Sequence, residues 1–130
     1  MRVSEENKRL ESGIYQVQLI LTDGKIDDME ATIDLLYKCA YLPMSIIIVG
    51  IGSADFTKMK ILDGDEGLYT SQGKKCPRDI VQFVEFNRFK NMGQLLSKEV
   101  LHEVPTQFLG YMKLMKIIPR DPIKIDYNQL

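Results

Sequence analysis

MSIIIVG, residues 44–50, is a nearly continuous apolar run rich in β-branched residues. Such a run is typical of a strand that is covered on both faces, as the strands of a parallel sheet are. YQVQLIL at residues 15–21 and IVQFVEF at residues 80–86 are β-rich in the same way and predict two further strands. The pattern of residues 15–21 also predicts that the second half of its strand is buried.

Helical spacing fills the intervals between these strands. Asp27, followed three residues later by Glu30, resembles a capping box and predicts a helix that starts near Asp28 and stops before Pro43. Its apolar stripe consists of Met29, Ile33, Leu36 and Ala40.

Two more helical segments follow the strand at 44–50. Ser53 is predicted to cap a short helix that Gly64 ends, and Pro105 is predicted to kink or divide a longer helix that begins near Met92. A strand, a helix and a second parallel strand form a right-handed crossover unit. The predicted fold class is therefore α/β, with a mostly parallel, Rossmann-like sheet flanked by helices.

Composition limits the classes of function. The chain has 130 residues, of which 45% are hydrophobic and 27% charged, which fits one globular unit. Its net charge is -1, from 17 basic and 18 acidic residues, so bulk charge would not draw it to nucleic acid or to an anionic membrane. No stretch resembles a signal peptide or a membrane span, which makes a cytoplasmic location the expectation.

LILTDGKI, residues 19–26, places the carboxylate of Asp23 just after a predicted strand. In open α/β sheets the ligand crevice lies at the carboxyl ends of the strands. Asp23 is therefore the best functional candidate, although an aspartate at this position could equally cap the following turn through its own side chain. Spacing leaves both roles open.

Three stretches resemble the copine family in wording and in order. They are YQVQLILTDGKIDDME, LPMSIIIVGIGSADFTKMKILDGDE and RDIVQFVEF, and the resemblance covers about residues 14–119. It implies the C-terminal half of a copine-type von Willebrand A domain, preceded by a polar segment at 1–13 and followed by a tail at 120–130. In that family an adhesion site for a metal ion joins a DxSxS loop, a separate threonine and the aspartate of a TDG turn.

The resemblance makes Asp23 the metal-site aspartate, with Thr22, Gly24 and Asp27 as supporting candidates. No DxSxS occurs in the chain, so we expect it to bind magnesium or manganese weakly or not at all. The implied function is protein–protein recognition without catalysis. Calcium-dependent binding to phospholipid, and hence to the plasma membrane, is implied only for the full-length family, through N-terminal modules absent from this sequence. Strands that would flank residues 15–21 are absent too, so we expect an exposed strand edge open to self-association.

Two other interpretations start from charged side chains. Asp23 could accept a phosphoryl group with the help of magnesium, which would make the chain an α/β phosphoryl-transfer domain. Lys25, however, stands where a dehalogenase-like site would need a second carboxylate. Lys74, Lys75 and Arg78 form a small basic cluster that could touch phosphates, but three charges are few for that purpose.

Overall fold

A three-stranded parallel sheet lies at the centre of the computed structural model, which describes residues 1–9, 13–64 and 66–122. The strands are β1 (Gln16–Thr22), β2 (Met44–Gly50) and β3 (Val81–Glu85), in the spatial order β1-β2-β3. The helices are α1 (Arg2–Arg9), α2 (Met29–Cys39), α3 (Thr57–Asp63), α4 (Gly93–Leu101) and α5 (Val104–Leu114), with a 3-10 turn at Phe86–Phe89.

Strand β2 is the central strand, and all seven of its residues are buried. The side chains of Met44, Ile46 and Ile48 point to the face that α2 and α3 cover. They form the core there with Leu36, Cys39, Ala40, Leu42, Phe56, Met59, Leu62, Ile80, Val81 and Phe83. Burying one large aliphatic side chain stabilises a fold by about 1.5–3 kcal/mol, so this face supplies the main stabilisation.

The opposite face of the sheet carries α5, and α4 contacts β3. Gln82 of β3 points to this face and contacts Glu103, the residue that precedes α5. Tyr111 of α5 is buried, and Tyr15 just before β1 donates to or accepts from Ser45 of β2 at 2.7 Å. Because helices lie on both faces of a parallel sheet, the predicted α/β fold class is confirmed.

Strand β1 corrects one expectation, since its second half is exposed and not buried. Leu19 and Leu21 are 57% and 62% exposed. β1 pairs with β2 on one side only, and its other edge pairs with no strand of the described residues. Periodicity in a sequence shows which residues are apolar, but it does not show whether another element covers them.

Three helix ends test the predicted start and stop signals. Asp28, one residue after the predicted Asp27, caps α2 by accepting a hydrogen bond from the Ala31 N–H at 2.9 Å. The helix α3 starts at Thr57, so the predicted cap at Ser53 is wrong, and the Asp55 carboxylate accepts from the Thr57 N–H instead. Gly64 ends α3 in the left-handed conformation with φ 64°, as predicted.

Pro105 also acts as predicted. It lies in the first turn of α5, where a missing N–H leaves no helical bond unmade, and the chain divides just before it between α4 and α5.

The two ends of the chain behave differently from each other. The polar segment 1–13 contains α1, in which Ser4 is fully buried and donates a hydrogen bond to the side chain of Gln16. Lys8 of the same helix donates to the Tyr41 carbonyl at 3.0 Å, so this segment packs on the sheet and on the end of α2. Of the predicted tail, residues 120–122 are exposed without regular structure, and 123–130 lie outside the described residues.

Candidate functional site

Three loops meet at the carboxyl ends of the strands, and together we call them the crest (residues 22–28, 51–57 and 85–88). The Ile51 N–H donates to the Thr22 carbonyl at 2.8 Å, which ties the loop after β2 to the loop after β1. Asn87 donates from its side-chain amide to the Gly52 carbonyl at 2.7 Å, which ties in the loop after β3. Asp23 lies on the first of these loops, one residue beyond β1.

The carboxylate of Asp23 is exposed and makes no hydrogen bond or ion pair within the described part of the chain. The turn that follows is closed by another side chain, because the Thr22 hydroxyl accepts the hydrogen bond from the Gly24 N–H at 3.2 Å. A role for Asp23 as the cap of its own turn is therefore not what the structure shows. The carboxylate is instead directed to solvent at the edge where open α/β sheets bind their ligands.

The three supporting candidates share the Asp23 loop but do not form a ligand set with it. Thr22 and Gly24 bond to each other, and Asp27 is exposed. Across residues 1–9, 13–64 and 66–122, no three acidic, histidine or cysteine side chains converge to hold a metal ion. Magnesium requires near-octahedral oxygen ligands, so one unengaged carboxylate does not by itself fit a tight magnesium site.

A cleft of about 200 Å³ adjoins the Asp23 loop. Asp55 is its acidic member, and hydrogen bonds from the Thr57 hydroxyl (2.6 Å) and the Thr57 N–H (3.0 Å) lower the pKa of the Asp55 carboxyl. Lys58 lies opposite and donates to the Ile26 carbonyl at 3.2 Å. The cleft is lined by Gly24, Lys25, Ile26, Asp55, Lys58 and Met59. It presents both signs of charge beside Asp23.

Asp55 is the crest residue that sequence reasoning missed. An aspartate two residues before a threonine at a helix start is a signal for a side chain that bonds to the backbone, and ADFT at residues 54–57 carries it. The glycines at 50 and 52 drew the predicted cap to Ser53 instead.

The basic cluster does not form a joint surface. Lys74 and Lys75 are exposed, but Arg78 turns inward and donates to backbone carbonyls of the α2–β2 connection and of β2. The distances are 2.7 Å to Ala40, 2.6 Å to Leu42 and 2.8 Å to Met44. These carbonyls occupy the donors that a phosphate would need, so Arg78 has a structural role here.

The helices that the structure describes include none long and apolar enough to cross a bilayer. The fold and the crest define the class of the molecule: an open parallel α/β domain with helices on both faces and an exposed acidic loop at the carboxyl edge of its sheet. Comparisons with known proteins identify the family within that class.

The sequence profile of the copine family matches residues 1–120, which includes the opening segment as well as the stretches that carry the resemblance. The chain belongs to the copine family. It is 50% identical to Copine-D of Dictyostelium discoideum over 109 residues, which are 83% of this chain and 21% of that protein. It is also 50% identical to Copine-A of the same organism over 105 residues, or 81% of this chain and 18% of the relative.

A third relative carries a name that refers to a partner. The chain is 44% identical to nicotinic receptor-associated protein 1 of Caenorhabditis elegans in an alignment that covers 93% of this chain and 21% of the relative. The chain thus spans about a fifth of the length of the curated relatives it matches.

Proposed function

We propose that this chain is a non-catalytic protein–protein recognition module of a copine-like, calcium-dependent phospholipid-binding protein, and that it meets its partner through the crest around Asp23. The observation that carries the proposal is the exposed Asp23 carboxylate, which contributes no contact to the described fold. A loop side chain that the scaffold does not need is free to serve binding. Calcium and lipid binding belong, in this proposal, to other parts of a full-length copine, with a cytoplasmic location that becomes membrane-associated when calcium rises.

The kind of partner follows from the surface chemistry and from one relative. The cleft beside Asp23 carries both signs of charge, from Lys25, Lys58 and Asp55, which favours a partner surface with complementary charges. The Caenorhabditis elegans relative is named for its association with a nicotinic receptor. That name supports a protein partner, and a receptor-associated assembly is the class we propose.

A capture experiment tests the crest. The wild-type chain, Asp23→Ala and the control Asp121→Ala, which removes an exposed carboxylate outside the crest, are immobilised and incubated with a cell extract. We expect a protein that the wild type and the control retain, and that Asp23→Ala loses at least tenfold, which corresponds to about 1.4 kcal/mol. Equal retention by all three would show that the crest is not the binding surface.

A second surface, along β1, favours self-association. The Gln16 N–H donates to the Pro43 carbonyl, and the Thr22 carbonyl accepts from the Ile51 N–H, so the even-numbered residues of β1 bond to β2. The N–H and C=O groups of Val17, Leu19 and Leu21 therefore point to the free edge. IYQVQLILT, residues 14–22, contains no charged side chain of the kind that blocks pairing between strand edges.

Two copies related by a twofold axis at Leu19 would satisfy these groups. In that antiparallel arrangement Val17 of one copy lies opposite Leu21 of the other, and the outward groups of each strand bond to those of its neighbour. The pairing also brings the exposed Val17, Leu19 and Leu21 side chains of both copies side by side, which reduces their contact with water.

Leu19→Lys tests this edge. A charge at the centre of the strand repels its symmetry mate, so we expect the wild type to form dimers at a protein concentration at which Leu19→Lys is monomeric in light scattering. Ile61→Lys changes an apolar side chain that is 52% exposed on α3 and should dimerise like the wild type. A monomeric wild type at millimolar concentration, or a dimer unaffected by Leu19→Lys, would exclude the edge.

A further inference from the structure

Four polar side chains join the start of β3 to the first turn of α5, and we call them the clasp (Asp79, Gln82, Glu103 and Gln107). The two glutamines are only 4% and 5% exposed. Glu103 immediately precedes α5, and Gln107 lies one turn further along, where its N–H donates to the Glu103 carbonyl at 2.9 Å. The clasp therefore attaches one end of a helix to one end of a strand.

Both carboxyl groups of the clasp share the same donors. The Gln107 side-chain nitrogen lies 3.3 Å from Asp79 Oδ2 and 3.2 Å from Glu103 Oε2. The Gln82 amide, oriented with its nitrogen towards Glu103, donates to both of that residue's carboxylate oxygens at 3.0 Å. Asp79 is exposed as a residue, but its carboxyl turns inward, with Oδ1 accepting from the Val81 N–H at 3.0 Å.

The two carboxyl groups lie close to each other, because the single Gln107 side-chain nitrogen contacts an oxygen of each, and two carboxyl groups that share a site favour the retention of one proton. An ionised carboxylate has acceptors only, so a hydrogen bond between two carboxyl groups requires that one of them keeps its proton. The clasp also lacks a donor for Gln107 Oε1, which is buried and accepts no hydrogen bond within the described residues. We propose that Asp79 and Glu103 share one proton, and that its loss as the pH rises loosens the attachment of α5 to β3.

The surroundings of Asp79 agree with a retained proton. Removal of the carboxyl from water raises the pKa of Asp79, against the lowering by hydrogen bonds from the Val81 N–H, from Glu103, from Gln107 and from the Ile80 N–H. Arg78 is the nearest cation in sequence, but its guanidinium donates to carbonyls and to the Tyr15 hydroxyl. Glu66, Lys75 and Cys76 line a cleft that Asp79 borders.

The direction of the pH dependence follows from the pKa of Asp79, which is higher in the folded chain than in the unfolded one. The stability that the shared proton contributes is fully present below the ordinary pKa of an aspartate and is lost as the pH rises through the raised pKa. Between those two pKa values, the equilibrium constant for the attachment of α5 to β3 falls by up to about tenfold per pH unit. Because the two groups titrate together, the midpoint belongs to the pair.

Hydrogen exchange of the α5 amides tests the proposal. In the wild type, protection corrected for intrinsic exchange should fall as the pH rises above the ordinary pKa of an aspartate and through the raised pKa of the pair. Asp79→Asn places an amide where the shared proton was, so it can donate to Glu103 at every pH, and its α5 protection should be flat. Asp55→Asn, which removes a carboxylate from the crest, should keep the wild-type slope.

Glu103→Gln repeats the test from the other side of the pair, and it carries the experiment if Asp79→Asn does not fold. Carbon NMR of the two carboxyl groups gives a direct readout: both should report the same two midpoints in the wild type, and Glu103 a single one in Asp79→Asn. Flat protection in the wild type, an unchanged slope in both amide variants, or independent carboxyl titrations would overturn the shared proton.

Discussion

At the scale of single residues, Asp23 shows how two side chains divide a role that the sequence assigns to one. An aspartate followed by glycine after a strand can cap the turn or bind a ligand, and both uses need the same oxygen atoms. In the structure the neighbouring Thr22 hydroxyl accepts the turn's hydrogen bond from Gly24. Spacing could not reveal this, because threonine and aspartate are both acceptors at that distance from the glycine. Asp23 remains available to something outside the described fold.

We predict that magnesium or manganese binds weakly or not at all to this chain. One unengaged carboxylate offers too few fixed oxygen ligands for an octahedral ion. Isothermal titration calorimetry should give no saturable heat at micromolar metal.

Asp23→Ala is the companion variant for that titration. Its free energy of unfolding should stay within about 0.5 kcal/mol of the wild type, as for other surface changes that remove no contact. Micromolar affinity in the wild type that disappears in Asp23→Ala would contradict the prediction and restore a metal site in the isolated chain.

At the scale of elements, the sequence predicts most reliably where burial is complete. The run at 44–50 is the strand β2 with both ends as predicted, because every residue in it is covered and its apolar pattern is continuous. β1 is predicted as a strand but not as an exposed one, since exposure depends on neighbours that lie far away in sequence. Helix starts shift by a few residues, since Asp28 caps α2 in place of Asp27 and α3 starts at Thr57, beyond the predicted cap Ser53.

The connection between α3 and β3 is another element whose attachment depends on a distant residue. Tyr69 and Lys75 face each other in an isolated antiparallel bridge, and the turn between them is fixed to α2. The Asp34 carboxylate accepts from the Ser71 N–H at 2.9 Å and from the Ser71 hydroxyl at 2.8 Å. The bond from the Ser71 N–H, followed by that from the hydroxyl, lowers the pKa of Asp34.

We predict that acid releases this turn from α2. A lowered pKa means that the attachment is fully present above the ordinary pKa of an aspartate and is lost as the pH falls through the lowered value. The amide proton of Ser71 should therefore titrate in NMR with the midpoint of the Asp34 carboxyl. In Asp34→Asn the acid transition should vanish, whereas Ser71→Ala should keep it through the backbone bond. A Ser71 amide that ignores pH in the wild type would show that the contact does not persist in solution.

At the scale of the whole molecule, one side chain connects segments that the sequence keeps far apart. Arg78 lies before β3 and donates to carbonyls at the end of α2, at the start of β2 and in α5, while its guanidinium stacks 5.3 Å from the ring centre of Tyr111. Sequence reasoning placed Arg78 with surface lysines, because a basic residue beside others usually lies in solvent. Nothing in the local pattern distinguishes an arginine that will bridge across some thirty to forty positions.

We predict that Arg78→Met destabilises the whole chain. Methionine keeps much of the apolar stem but donates nothing, so the carbonyls of Ala40, Leu42 and Met44 lose their shared partner in a half-buried site. Breaking such a charged network typically costs about 3–5 kcal/mol, a large part of the roughly 5–15 kcal/mol that holds a domain folded. Urea unfolding should show the loss, and Arg78→Lys should recover only part of it, because an ammonium cannot reproduce the planar fork.

Arg88→Met is the matched control, since Arg88 is exposed and its nitrogen lies 3.5 Å from the Glu85 carboxylate at the crest. Loss of an exposed pair costs about 0–1 kcal/mol. If both variants lost the same small amount of unfolding free energy, water would have to replace Arg78 as the partner of these carbonyls. Apolar packing alone would then hold α2, β2 and α5 together. A large loss of unfolding free energy confined to Arg78→Met would instead show that one guanidinium holds these three segments together. The apolar face of the sheet would then supply stability but not their alignment.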